Sequence, residues 1–151
     1  MATLAFRAVA DDLVVFVSGA AAYADEEWQE YVRHAENVAP RWRHRADIYK
    51  YFVFVDDGAP NASQRGSVMK AMEGVKGRAA VVTGGLLARK IITAFGWLGA
   101  PMRGFAPTEV RAAAEYLQLD NERLHQAIHT ARLLAPLIGK VHAVDAIAVH
   151  E

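Results

Sequence analysis

Residues 49–55 read Tyr-Lys-Tyr-Phe-Val-Phe-Val, and only Lys50 breaks their apolar character. Aromatic and β-branched residues of this kind favour a strand. Successive side chains on a strand point to opposite faces, so an unbroken apolar run has to be covered on both sides. Such a strand belongs at the centre of a sheet flanked by helices. A second run, Leu13-Val14-Val15-Phe16-Val17, imposes the same condition. Two such strands separated by a helical stretch imply a parallel pair with a right-handed crossover.

The rest of the chain supplies the alternation that this requires. Residues 3–9 alternate in the manner of a half-buried edge strand and turn at Asp11-Asp12. Asp25 is a candidate N-cap, with Glu26 and Glu27 in the first turn. Trp28, Tyr31, Val32, Ala35 and Val38 then follow at helical spacing, and Pro40 is expected to stop that helix. Arg41 to Asp47 reads as a polar loop. A helix from about Ser63 carries Val68, Met69, Met72 and Val75 inward, and Ala79 to Val82 is a short strand. Gly84-Gly85 leads into an apolar helix with Leu87, Ile91, Phe95 and Leu98 inward. Met102 to Phe105 is a last strand, and Pro107-Thr108-Glu109 opens a helix bearing Val110, Ala113, Ala114 and Leu117.

The expected fold class is therefore α/β: one mixed, mostly parallel sheet in the order β-β-α-β-α-β-α-β-α, over residues 1–119. Residues 120–151 read as a C-terminal helical extension. Asn121 is its candidate cap, Leu124, Ile128, Ala131 and Leu134 form its stripe, and Val141, Val144 and Ile147 are spaced for a further helix.

Composition excludes several classes. The 151 residues are 53% hydrophobic and 23% charged, which suits a packed core rather than a disordered chain. With no cysteine there is no disulfide framework, thiolate metal site or cysteine nucleophile. The net charge is zero, so no global field draws nucleic acid or an anionic membrane, and no apolar run is long enough to span a bilayer. The expectation is a cytoplasmic chain with no stable membrane insertion, no nucleic-acid partner and no cofactor.

The element order resembles the STAS domain, the fold of bacterial anti-sigma-factor antagonists, and more closely the SpoIIAA-like family. The residues that carry the resemblance are Ala79-Ala80-Val81-Val82-Thr83 before an apolar helix, then Met102-Arg103-Gly104-Phe105, and the closing stretch from Glu109 to Leu117. Trp28 and Tyr31 also look similar. The resemblance implies a non-enzymatic regulatory or protein-interaction module. In antagonist members a serine after the central strand is phosphorylated. The matching stretch here runs from Asp56 to Arg65, with Ser63 near that place but without the family's Asp-Ser pair. A likeness in shape to CRAL-TRIO domains implies the alternative, a carrier of a small apolar or anionic ligand; Trp97, outside the inner stripe of the apolar helix, is placed to line a pocket or an interface.

Candidate sites follow. Ser63 is a phosphoacceptor or an N-cap, and Asp56, Asp57 and Arg65 share its surface. Asp56 and Asp57 lie past the central strand, where α/β sheets bind ligands, although adjacent residues on an extended chain point apart. Thr83-Gly84-Gly85 joins a strand to a helix start and offers amides to an anion, with Arg89 and Lys90 nearby. His125 and His129 are one turn apart with Gln126 between them and no evident third ligand, so no metal site is expected. Arg41-Trp42-Arg43-His44-Arg45 is either a solvated loop or a surface for bases or lipid headgroups. No residues are assigned to catalysis. The expected partner is a protein, or a second copy meeting this one through residues 120–151.

Overall fold

A computed structural model describes residues 1–85 and 100–149. Strands β1 (Leu4–Ala10), β2 (Leu13–Ser18), β3 (Tyr49–Val55), β4 (Gly77–Val82) and β5 (Met102–Phe105) form one sheet in that spatial order. β1 is antiparallel to β2, and the other neighbouring pairs are parallel. The mixed, mostly parallel α/β sheet expected from the apolar runs is present, with β3 at its centre. The apolar helix expected after Gly85, including Leu87, Arg89, Lys90, Ile91, Phe95, Trp97 and Leu98, lies outside the described residues.

Because the strands follow one another in space as in sequence, the β2–β3 and β3–β4 crossovers step the same way. Right-handed connections then place both crossover helices on one face. These are α1 (Asp25–Trp42) and α2 (Ala62–Ala71). Trp28, Tyr31, Val32 and Trp42 pack there with Val68 and Met72 against Phe16, Tyr51 and Val53. The opposite face, with Leu13, Val15, Phe52, Phe54 and Val82, is equally buried. Its cover comes from residues after β5: a 3₁₀ turn (Pro107–Glu109), α3 (Val110–Tyr116), α4 (Asn121–Ile138) and the single turn α5 (His142–Asp145). Leu124, Ala127, Ile128, Ala131 and Leu134 of α4 lie directly in this cluster. The stripe read as an extension's apolar face is thus occupied by the sheet of the same chain.

Several local expectations are corrected by tertiary contacts. Ala24, not Asp25, is the N-cap of α1, and Asp25 instead accepts a hydrogen bond from Gln64 Nε2 at 2.8 Å. Pro40 lies inside α1 rather than ending it. The helix continues to Trp42, whose ring is buried, and Arg43 N–H closes the last turn on Ala39 O at 2.9 Å. Trp42 is therefore a core residue, not a stacking platform, although Arg45 caps its ring 4.0 Å from the centroid. Asn61 rather than Ser63 caps α2, in a reciprocal box with Gln64. Asp120 rather than Asn121 caps α4. Met69 faces outward and is 53% exposed, whereas Met72 is core as expected. His125 and His129 are both exposed on α4.

The charge that interrupts β3 is accounted for. Lys50 Nζ is buried and donates to Asp12 Oδ2 at 2.9 Å and to Ile48 O at 3.4 Å. Arg123, in the first turn of α4, also holds the Asp12 carboxylate through its two terminal guanidinium nitrogens, Nη1 and Nη2. One carboxylate in the β1–β2 turn thus joins the start of β3 to the start of α4. Burial alone would raise the Asp12 carboxyl. Hydrogen bonds from Arg123 and Lys50, with their charges, outweigh burial and hold it below the usual aspartate range. Two buried groups of the α1-side core, Tyr51 OH and Trp42 Nε1, have no hydrogen-bond partner among the described residues.

Asp12→Asn leaves the Lys50 ammonium buried without a counter-charge and is expected to cost about 2–3 kcal/mol in chemical denaturation. Lys50→Met in the same background should recover most of that loss. The stability from the lowered carboxyl is fully present above the unfolded aspartate pKa of about 3.9 and fades as pH falls through the lower native value. Wild type should therefore lose more stability than Asp12→Asn on acidification below about pH 4. Tyr51→Phe removes an unpaired buried hydroxyl and should be neutral or stabilising by up to ~1 kcal/mol, measured by the same titration.

Candidate functional site

Parallel strands deliver their C-terminal loops to the same end of a sheet, and ligands of open α/β sheets sit outside that end. Here the loop after β3 carries Asp56, Asp57 and Gly58, and the loop after β4 carries Thr83, Gly84 and Gly85. The two loops meet. Asp56, Asp57, Thr83, Gly84 and Gly85 line one open cleft of about 190 Å³, joined by His142 from α5. Ser63 and Arg65 do not line it. Both lie in the first turn of α2, where Ser63 is exposed and Arg65 Nη1 donates to Pro60 O at 3.1 Å.

Asp56 does not act as a free carboxylate. Its Oδ2 accepts His142 N–H and its Oδ1 accepts Ala143 N–H, each at 3.0 Å. Val141, the residue preceding α5, offers no side-chain cap, so Asp56 satisfies amides that the short turn leaves open. The residue also binds through its backbone. Its N–H donates to Ser18 O at 3.3 Å, and its carbonyl accepts the Thr83 hydroxyl at 3.4 Å. Thr83 itself is buried. Asp57 is exposed beside these groups. The two carboxylates place negative charge at the cleft, and like-charge repulsion works against the anion expected at Thr83-Gly84-Gly85. Hydrogen-bond donors or cationic side chains are the complementary chemistry. Among the described residues no three His, Cys, Asp or Glu side chains converge as a metal set.

The loop from Asp56 to Asn61 is held from below. Gly58 N–H donates to Gly19 O at 2.8 Å, and Gly58 O accepts the Tyr23 hydroxyl at 3.1 Å. Tyr23 OH also pairs with Ser18 Oγ at 2.8 Å. A Cβ at position 58 would come within 2.7 Å of Gly19 O and 2.8 Å of Ala21 O, so only glycine fits. Gln64 binds Tyr23 O and the Asp25 carboxylate, and its carbonyl accepts Trp28 Nε1–H at 2.8 Å. Burial raises the Tyr23 phenol far above its ordinary value, so it stays neutral and available to donate. None of Ser18, Tyr23, Gln64 and His142 stood out in the sequence. The glycine after two aspartates was the available signal for a constrained loop.

The wider surface holds a second, larger groove of about 540 Å³ between α1 and α2, lined by Gln29, Glu36, Arg43, Ser67 and Lys70 above Val32. Arg43 is already engaged there by the carbonyls of Ala71 and Glu73. Among the described residues no helix is long and apolar enough to cross a membrane. No family model, curated protein or solved structure matches this chain.

Asp56→Ala removes two charge-assisted bonds to a helix start and is expected to cost about 1–2 kcal/mol. The amides of His142 and Ala143 should then exchange hydrogen at least about tenfold faster, a signature of local opening, while those of β3 keep their protection.

Proposed function

We propose that this chain is a non-enzymatic regulatory module of STAS-like, SpoIIAA-like type, and that a protein partner reads the loop after β3 together with the first turn of α2. The observation that carries this reading is the presentation of Ser63. It is exposed in the first turn of a helix whose start is fixed by the Asn61–Gln64 box and by the ties of Gln64 to α1. A surface already ordered before binding loses little conformational entropy when a partner docks. Arg65, two residues on in the same turn, and the exposed Asp57 in the preceding loop give this stretch charges of both signs, which helps to orient a partner.

Phosphate on Ser63 would stand at the positive end of α2, where added negative charge is tolerated by the fold. The same group would change the charge of the presented surface by nearly two units. Modification at this position therefore alters recognition without unfolding the helix, which is the requirement for a switch.

Ser63→Ala and Ser63→Glu test this directly. Both are expected to melt like wild type, because Asn61 and not Ser63 caps the helix. A partner retained by the immobilised wild-type chain from its native lysate should be retained by Ser63→Ala. It should be weakened about tenfold by Ser63→Glu, equivalent to ~1.4 kcal/mol. Equal retention by both variants, or no specific retention by wild type, would rule the proposal out.

A further inference from the structure

The outer edge of β1 pairs with no strand among the described residues. Along it runs a slot of about 340 Å³, remote in sequence from Ser63 and lined by different residues. One wall is α1, contributing Glu27 and Glu30, and the other is α4, contributing Leu134 and Leu137, while the exposed Arg7 of β1 lines the slot between them. Glu27 is already engaged by the Thr3 amide at 2.9 Å and by the Thr3 hydroxyl. Glu30 is exposed and makes no hydrogen bond or ion pair among the described residues. Leu137 is 56% exposed, and Leu133, one turn earlier on the same helix, is 51% exposed. Both are large apolar side chains left in water, and Leu137 lies beside the open backbone donors and acceptors of β1.

The two walls differ in chemistry, and a strand projects successive side chains to opposite sides. We propose that this edge takes up an extended peptide as an added strand, with basic side chains towards Glu30 alternating with apolar side chains towards Leu134 and Leu137. Backbone pairing to β1 supplies affinity, and the unlike walls supply register and direction of facing. The register shift between Ala8 and Ala10 in the β1–β2 pairing bends the far end of the strand, so the straight edge is residues 4–8.

A second copy of the chain fits this edge less well. Phe6 packs on the α1 side, while Ala5 and Val9 pack on the α4 side, which places Arg7 on the α4 side too. Joining two β1 edges about a two-fold axis normal to the sheet keeps each face on its own side. Phe6 of the second copy would then meet Glu30, and its Arg7 would meet Leu137, the reverse of what each wall accepts.

The test uses the full chain and two short blocked peptides, one alternating lysine with valine and one alternating glutamate with valine. Fluorescence anisotropy should show binding of the lysine peptide alone, with hydrogen-exchange protection gained at residues 4–8. Glu30→Lys and Leu137→Asp, both at exposed positions that the fold tolerates, should each weaken it about fivefold or more. The glutamate peptide should bind the Glu30→Lys chain. Absence of binding to the folded wild-type chain, or binding indifferent to both substitutions, would overturn the proposal. So would protection of residues 4–8 that rises with protein concentration in the absence of peptide, since that assigns the edge to a second copy.

Discussion

The constraint on which the architecture rests is that β2, β3 and β4 are apolar on both faces. A strand of this kind has no solvent side, so each face of the sheet needs its own layer. Strand order equal to chain order then decides which layer comes from where. The β2–β3 and β3–β4 crossovers lie together on one face, and α1 and α2 pack there. Nothing between β2 and β4 remains for the opposite face. Among the described residues, α3, α4 and α5, all after β5, supply that cover. A segment that reads as an appendage by composition is, by packing, one of the three layers.

Polar groups inside this frame act as fasteners between layers rather than as isolated exceptions. Asp12 binds cations from β3 and α4 at one end of the sheet. At the other end Asp56 binds the amides that start α5, while the Ser18–Tyr23–Gly58 chain secures the adjoining loop. The buried members, Lys50 and the Ser18–Tyr23 pair, would otherwise be left unpaired at a cost far above that of an exposed contact. Together they hold both edges of the α4–α5 layer to the sheet. They also tie the loop after β3 to β2 and to the residues before α1.

The strands were legible in the sequence because their signal is local: period, β-branching and the turns between them. β2, β3 and the β5 stretch fall where the apolar runs place them. The helix starts were less legible, because Ser63 and Asn61, or Asn121 and Asp120, are chemically equal candidates for a cap, and the choice follows from where neighbouring layers hold the chain. Pro40 misled for a similar reason: the burial of Trp42 outweighs the one hydrogen bond that a proline forfeits near a helix end. The cleft was half legible. Asp56, Asp57 and Thr83-Gly84-Gly85 each follow a strand, so their convergence is a consequence of parallel topology. His142 was invisible, since it lies 86 residues from Asp56 and no local pattern links them. Lys50 stood out as the charge in an apolar strand, but nothing local pointed to Asp12 as its partner.

The pairing of Asp12 with Arg123 spans 111 residues. It has a kinetic meaning. While the chain is being synthesised, β1 to β5 can assemble with α1 and α2 on one side, but Leu13, Val15, Phe52 and Phe54 stay uncovered until α4 has emerged and docked. During that interval the nascent domain displays a broad greasy plane, the kind of surface that invites aggregation or chaperone capture. Contacts this distant along the chain also slow the final docking. Protection of the second face thus depends on how quickly the last layer docks.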